Sequence, residues 1–126
     1  MGEYLQQAYG ASLGINLEIS FSEWGIFISN VESGNYQIGF MGWGAYYNDP
    51  YDTLSLLLTG STAINTGWGN EEYDSILNAA TAEMDEATRM QEYIKAEQIL
   101  INEECVVSPM ATNQVQRFFQ PYVKGY

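Results

Sequence analysis

The sequence predicts an α/β fold in which helices pack on a mixed or parallel sheet. Two short stretches alternate apolar and polar residues with a period of two, which indicates strands that bury one face. They alternate with stretches of helical periodicity, in the order helix, strand, helix, strand within the first forty residues. This order is typical of a βαβ unit with parallel strands and a right-handed crossover. A length of 126 residues and an apolar share of 46% suit one domain with its own core.

The first half of the chain supplies the predicted βαβ unit. Residues 3–12 have a helical pattern, which Gly14 is expected to end. Residues 15–21 and 36–40 are the two predicted strands, because their apolar side chains recur at every second position. Ser22 can cap the helix between the strands, and Gly34-Asn35 is expected to end it. The apolar stripe of that helix consists of Trp24, Phe27, Ile28 and Val31.

The second half is predicted to be mainly helical. Residues 51–58 suit a short helix, and residues 59–70 are loop-like because they are rich in Gly, Ser, Thr and Asn. Asn70 can cap the next helix, and Asp85 can cap the longest one, over residues 86–104. The apolar stripe of the first of these helices is Tyr73, Ile76, Leu77, Ala80 and Met84. That of the second is Ala87, Met90, Tyr93, Ile94, Leu100 and Ile101.

The end of the long helix leads to three further expectations. Residues 105–112 should form an edge or kinked strand, because Pro109 cannot donate to a ladder, with residues 115–119 beside it. Cys105 opens this apolar run, so we expect it to be buried as a small hydrophobic residue. Glu97 falls within the apolar face of the long helix, which indicates either a hydrogen-bonded carboxylate or a wetter helix edge. A role for Glu97 in proton transfer is the alternative.

The composition excludes several classes of function. A net charge of −12 with four Lys and Arg residues argues against nucleic-acid binding and against docking on anionic lipid. The absence of His and the presence of one Cys exclude Ser-His and Cys-His nucleophilic pairs, and zinc sites built on imidazoles or several thiolates. No segment approaches the roughly eighteen apolar residues of a membrane span. These residue types therefore supply no such nucleophilic pair and no such zinc site, and we predict no cofactor and no metal.

Residues 42–50 are the most informative segment for function. They follow the second predicted strand, and ligands of open parallel sheets sit beyond the carboxyl ends of strands. The glycines on either side of Trp43 leave the backbone free of Cβ atoms, and the indole offers a flat wall with one N–H donor. Tyr46 and Tyr47 add amphipathic surface, so this loop could hold an extended peptide. The alternative is a tight turn with Trp43 packed into the core.

Asp49 and Asp52 are paired carboxylates in the same turn. Two carboxylates can hydrolyse a glycosidic bond, so a glycan-active enzyme or a carbohydrate-binding module using Trp43, Tyr46 and Tyr47 is a rival interpretation. Calcium binding is a further possibility, although the spacing does not match an EF-hand loop. Acidic residues in a turn are more often capping groups, which is the structural interpretation of this pair.

Several stretches spread along nearly the whole chain form a recognisable series. They are Tyr4-Leu5-Gln6-Gln7 with Leu13-Gly14-Ile15, Glu23-Trp24, Gly34-Asn35-Tyr36-Gln37-Ile38, Gly42-Trp43-Gly44-Ala45-Tyr46-Tyr47-Asn48-Asp49-Pro50, Asn65-Thr66, Glu72-Tyr73-Asp74, Asp85-Glu86-Ala87 with Arg89, Lys95-Ala96-Glu97-Gln98, Pro109, Arg117, and Pro121 through Gly125-Tyr126. In this order they resemble the oligopeptide- and dipeptide-binding receptors of ABC importers. Each stretch alone is weakly specific, and their order and spacing together carry the resemblance.

The resemblance implies a fold and a function. Family members are several times longer and have two lobes that close on a ligand like a clam shell. Residues 1–126 would be a fragment of the C-terminal lobe, truncated at both ends, in a periplasmic-binding-protein-like fold. Such receptors lie in the periplasm, or are lipid-anchored on the extracellular face of the membrane. They hand peptides to a membrane permease and are not enzymes, and the missing first lobe would be a further partner.

The resemblance also assigns ligand-binding residues. The family's cleft-lining loop corresponds to Trp43, Gly44, Ala45 and Tyr46, and Tyr47 and Asp49 complete the predicted set. The position of Tyr46 is commonly Asp in the family, where it pairs with the free α-amine of the peptide. A tyrosine is neutral at pH 7 and supplies no countercharge, so we expect a weaker demand for a charged amine or a different ligand class. The same receptor fold used for signalling or for another solute, such as a sugar or a metal chelate, is the second rival.

Overall fold

The computed structural model describes residues 1–112 and 116–125, and this part of the chain is helical. The elements, in chain order, are α1 (Gly2–Leu13), α2 (Trp24–Ser33), α3 (Tyr51–Leu54), a 3₁₀ turn (Ser55–Leu57), α4 (Glu71–Ala82), α5 (Glu86–Glu97) and a π-helical segment (Gln98–Glu103) that continues α5. No helix among the described residues has the length and apolar character needed to cross a membrane.

The predicted sheet is wrong, and with it the βαβ unit. Residues 15–21 and 36–40 are irregular, as are residues 105–112 and 116–119, and the described part of the chain holds no strand. Residue 115, the start of the last predicted strand, lies outside the described residues. A strand is stable only when a neighbouring backbone satisfies its N–H and C=O groups, and no backbone hydrogen bond joins the first two segments. Their apolar side chains are correspondingly uncovered: Phe21 is 91% and Ile38 72% exposed.

The first two helices begin and end close to the predicted positions. Gly14 ends α1 with φ of 66°, and Gly34 ends α2 with φ of 71°, the left-handed conformation that glycine adopts without strain. The cap of α2 is Glu23 rather than Ser22. Its carboxylate reaches forward to accept the Gly25 N–H at 2.9 Å, which satisfies one of the free donors of the first turn.

Side-chain caps at the start of α4 and α5 confirm the prediction for both helices. Asn70 Oδ1 accepts the N–H groups of Glu72 and Tyr73 at 2.9 and 3.0 Å. Asp85 Oδ1 accepts both the hydroxyl and the N–H of Thr88, and these two hydrogen bonds lower the pKa of Asp85. The sharp loop between the helices is thereby fixed by local bonds.

Replacement of the Asn70 cap tests this local stabilisation. We expect Asn70→Ala to lower the free energy of unfolding by about 1 kcal/mol, because two N–H groups lose their acceptor. Asn78→Ala is the matched control, since Asn78 lies exposed within α4 and alanine is the better helix former. Urea unfolding followed by circular dichroism at 222 nm would measure both, and equal effects at the two positions would contradict the capping role.

The core lies between α4 and α5, and α3 with the 3₁₀ turn covers one end of it. Tyr73 and Leu77 of α4 are completely buried, and the Tyr73 hydroxyl donates to the carbonyl of Leu54 at 2.7 Å. The ring of Trp68 packs edge-on against Tyr73 at a centroid distance of 5.1 Å. The buried residues of this cluster are Leu54, Leu57, Tyr73, Leu77, Ala80, Tyr93, Ala96, Ile99 and Leu100.

The buried face of α5 differs from the predicted one. Tyr93 and Ala96 are buried and Leu100 follows them one turn later, whereas Met90 and Ile94 are each 40% exposed. Glu97 is exposed, so the wetter helix edge is the correct interpretation and the buried carboxylate is wrong. The helical periodicity is compatible with burial of either edge of the apolar face of α5. Contact with α4 buries the edge that carries the small Ala96.

Cys105 is exposed, which contradicts the expectation of a buried thiol. The π-helical segment ends here: the Glu104 N–H bonds the Ile99 carbonyl, and the Val106 N–H bonds the Leu100 carbonyl, both at 2.9 Å. The bond from the Val106 N–H requires the backbone to reverse direction at Cys105, which adopts a left-handed conformation with φ of 51°. Its side chain is therefore directed away from the core that Leu100 enters.

The first half of the chain contains little core. Val31 is the buried hydrophobic residue of residues 1–50, with an exposed fraction of 2%, and its carbonyl accepts the Asn65 N–H at 3.1 Å. This bond connects α2 to the loop that precedes α4. Residues 42–50 therefore lead from a loosely covered half into the packed helical half.

Candidate functional site

The predicted ligand-binding loop lies on the surface. Residues 43–49, which we call the aromatic loop, expose Trp43 to 39%, Tyr46 to 84% and Tyr47 to 51%. The rings of Trp43 and Tyr46 meet edge to face, with a centroid distance of 6.2 Å and an interplanar angle of 80°. Ala45 is exposed as well, and no atom beyond Gly44 and its two chain neighbours lies within 4 Å of the position that a Cβ on Gly44 would take. The indole is not sealed in the core, and the backbone beside it is bare.

Asp52, in the first turn of α3, binds the backbone of this loop. It is the buried charged residue of the described chain, with an exposed fraction of 8%, and its Oδ2 accepts the N–H of Tyr46 at 3.1 Å. Burial of a carboxylate is costly unless hydrogen bonds compensate for lost water. The bond thus connects the backbone at Tyr46, the most exposed aromatic residue of the loop, to the first turn of α3.

Asp49 attaches the same loop at its other end. Its Oδ1 accepts the Tyr51 N–H at 2.9 Å, and its Oδ2 lies 3.7 Å from Arg89 Nε on α5. Tyr93, one turn further along α5, is also directed at this carboxylate. Burial raises the pKa of Tyr93 to about 12, with contributions from hydrogen bonding to Asp49 and from its charge. Asp49 is therefore a capping and ion-pairing residue.

These contacts argue against a pair of catalytic carboxylates. Asp52 is buried under the loop, and Asp49 is engaged with Tyr51 and Arg89, so both carboxylates serve the structure. Partial burial raises the pKa of Tyr47, and Asp52 and Asp49 raise it further by their charges. This phenol is consequently neutral at physiological pH. Within residues 1–112 and 116–125, no three acidic or thiol groups converge as metal ligands would.

Two concavities elsewhere on the surface were not predicted from the sequence. One is a groove of about 250 Å³ lined by residues 58–61 and 64–69. The other is a groove of about 470 Å³ bounded by residues 16–22, α2 and residues 35–39. Neither is lined by the aromatic loop. The glycine-rich composition of residues 59–70 is the one sequence signal for the first groove, and the second lies beside the irregular segments that were predicted to be strands.

Comparison of the sequence with known proteins gives a consistent group of relatives. The chain is 36% identical over 104 residues to the oligopeptide-binding protein OppA of Bacillus subtilis, which is 82% of this chain and 19% of that protein. It is 33% identical over 115 residues to the dipeptide-binding protein DppE of the same organism, covering 91% of this chain and 21% of the relative. It is 29% identical over 114 residues to a probable deoxycholate-binding periplasmic protein, YgiS of Escherichia coli, covering 90% of this chain and 21% of the relative. No family model matches the chain.

Comparison of the structure gives the same result. The unliganded open form of the periplasmic murein tripeptide-binding protein MppA superposes with a TM-score of 0.74 at 26% identity, over 80% of this chain and 20% of that protein. The likeness supports the fold of a binding-protein lobe, although the sheet predicted for it is not present in the described residues. The chain spans about one fifth of the length of these relatives. The resemblance to peptide-binding proteins is confirmed.

Proposed function

We propose, on the premise that this chain is a relative of the bacterial oligopeptide- and dipeptide-binding proteins, that it forms part of the ligand-binding lobe of a peptide receptor serving an ABC importer. The observation that carries the proposal is the 36% identity to OppA over 82% of the chain. The relatives are named as binding proteins, and the proposed activity is likewise binding without catalysis. The partners would be a peptide, a second lobe and membrane permease subunits, in the periplasm or on the outer face of the membrane.

The aromatic loop is the part of this lobe that we propose contacts the ligand. Trp43 and Tyr46 present ring faces and edges to solvent, and the bare backbone at Gly44 allows a peptide main chain to approach. An aromatic wall binds many side chains with similar strength, which suits a receptor for varied peptides. Closure of two lobes over such a wall would convert ligand binding into a shape that a permease can recognise.

Native mass spectrometry of the full-length protein purified from its host tests the proposal. Receptors that close on their ligands release them slowly, so we expect a set of retained masses separated by amino-acid residues. Denaturation of the same sample should release peptides that tandem fragmentation can sequence. A single glycan mass or a bound metal ion would contradict peptide binding.

The identity of residue 46 leads to a prediction about the ligand's amino terminus. Tyr46 is 84% exposed and has no carboxylate, and Asp49 is already paired with Arg89, so neither offers a free carboxylate to an α-amine. We expect tri-alanine and N-acetyl-tri-alanine to bind the full-length protein with affinities that differ by less than about tenfold, as measured by calorimetry.

Substitution at the same position provides the matched comparison. Tyr46→Asp should increase the preference for the free amine, because it supplies a countercharge, whereas the neutral Tyr46→Asn should not. A preference for the free amine well above tenfold in the unsubstituted protein would show that another carboxylate recognises it.

A non-peptide ligand is the second candidate, and one specific observation favours it. The probable deoxycholate-binding protein YgiS matches the chain at 29% identity, within a few per cent of the peptide-binding relatives. An exposed aromatic pair without a free carboxylate also suits an amphipathic molecule that carries no amine. Retention of a steroid-sized mass in the native spectrum would favour this candidate over peptides.

A further inference from the structure

Arg89 connects the aromatic loop to the packed helices. Its Nε lies 3.7 Å from Asp49 Oδ2, and its Nη1 donates to the Glu83 carbonyl at 3.3 Å, just beyond the end of α4. The two charged side chains are partly shielded, with exposed fractions of 30% and 27%. One guanidinium thus bridges the end of α4, the start of α5 and the loop.

The loop has few other attachments. Among the backbone N–H groups of residues 39–48, that of Tyr46 alone donates a hydrogen bond to another described residue, the buried Asp52. A loop with so few backbone bonds opens at little cost in free energy unless side chains hold it. The contacts of Asp52 and Asp49 therefore fix the position of the aromatic side chains. Of these two residues, Asp49 is the one that connects the loop to α5.

The pair of Arg89 and Asp49 is oriented before any ligand arrives. The Tyr51 N–H holds Oδ1 of Asp49 at 2.9 Å, which leaves Oδ2 facing the guanidinium. Cations are scarce, with four Lys and Arg against sixteen Asp and Glu. By comparison, Lys95 pairs with its helical neighbour Glu92 at 3.0 Å and joins no second element. Arg89 differs because its partner lies forty positions away in the chain.

We infer that Arg89 is a positioning residue for ligand binding, which holds the aromatic loop against α5 through Asp49 and does not itself contact the ligand. The inference rests on the proposed function in one respect, namely that this loop binds the ligand. The position of the loop can be measured without any ligand. The two propositions can therefore be tested separately.

The first measurement reports the loop directly, in a variant of the full-length protein in which Trp43 is the one tryptophan, with Trp24, Trp68 and any tryptophan outside residues 1–126 replaced by phenylalanine. Acrylamide quenching follows the exposure of Trp43, which is 39% for the whole residue and can therefore rise by at most about 2.5-fold on release of the loop. We expect R89Q to raise the quenching constant toward this limit and R89K to retain most of the original value, because lysine keeps the charge.

D49N should raise the quenching constant at least as much as R89Q, because it also weakens the contact of Asp49 with Tyr93. The double variant should exceed D49N by little, because both substitutions remove the ion pair between Arg89 and Asp49. D74N is the matched control. Its carboxylate accepts the Thr59 N–H at 3.1 Å and so supports a different loop in the same manner. An equal rise in D74N, or no rise in R89Q and D49N, would overturn the inference.

The second measurement is the affinity of the full-length protein for tri-alanine. We expect R89Q to weaken it about threefold and R89K to restore most of the loss, which a general loss of stability would not do. Unchanged affinity in R89Q would overturn the ligand-positioning role. If R89Q and D49N raise the quenching constant while the unsubstituted protein binds no peptide, the loop-holding role stands and the proposed peptide ligand is wrong.

Discussion

Leu77→Ala is expected to lower the free energy of unfolding by about 3 kcal/mol, because removal of a fully buried leucine side chain leaves a cavity that rigid neighbours fill only in part. Leu77 has an exposed fraction of 0% and lies in the centre of the α4–α5 contact. Much of the net stability of a domain this size would be lost. Urea unfolding followed by helical circular dichroism would measure the change.

Leu13→Ala is the control for this experiment. Leu13 ends α1 with an exposed fraction of 63%, so its truncation should change the free energy of unfolding by no more than about 0.5 kcal/mol. The comparison separates the packed helical half from the loosely covered first half. Similar losses at both positions would show that the core extends into α1 and would contradict the described packing.

The helices of this chain could be predicted because their determinants are local. Asn70 accepts the N–H groups two and three residues ahead, and Asp85 accepts the N–H three residues ahead, so the start of each helix can be predicted from a few positions. Gly14 and Gly34 end their helices by adopting a conformation that other residues resist. Such signals act within one turn and need no knowledge of the rest of the fold.

The strands could not be predicted reliably because a strand depends on a partner. The alternation in residues 15–21 and 36–40 shows which side chains would share a face, but not whether a neighbouring backbone or a covering layer exists. Exposed fractions of 91% for Phe21 and 58% for Phe40 show that no described residue supplies this layer. The buried side of α5 was misjudged for a related reason, since contact with α4 decided it.

The site was predictable in part. Glycines and a turn signal predicted that Trp43 and Tyr46 lie in a loop, and both side chains are exposed there. Their role in binding stays a prediction. The contact of Asp49 with Arg89 joins residues far apart in the chain, and no local pattern reveals it. The same contact explains why an acidic residue beside the aromatic pair is not free to bind a ligand's amine.

Tyr73→Phe is expected to lower the free energy of unfolding by about 1.5 kcal/mol near neutral pH, because the buried Leu54 carbonyl loses its hydrogen-bond donor. Tyr73 is completely buried, and its hydroxyl bonds that carbonyl at 2.7 Å. Tyr4→Phe is the control, since Tyr4 is 66% exposed on α1 and its hydroxyl is hydrated in either state. Equal effects of the two substitutions would contradict the buried hydrogen bond.

Alkaline pH gives the Tyr73 experiment a second, independent result. Burial raises the pKa of Tyr73, and the charges of Asp74 and Glu97 raise it further. The unfolded chain therefore releases this proton near pH 10 while the folded chain retains it. The contribution of the protonated Tyr73 hydroxyl to the free energy of unfolding is complete below that pH and declines above it, by up to about 1.4 kcal/mol per pH unit. Because Tyr73→Phe lacks this proton, its unfolding free energy should fall less steeply from pH 10 to 11, and parallel slopes would show that the hydroxyl ionises equally in both states.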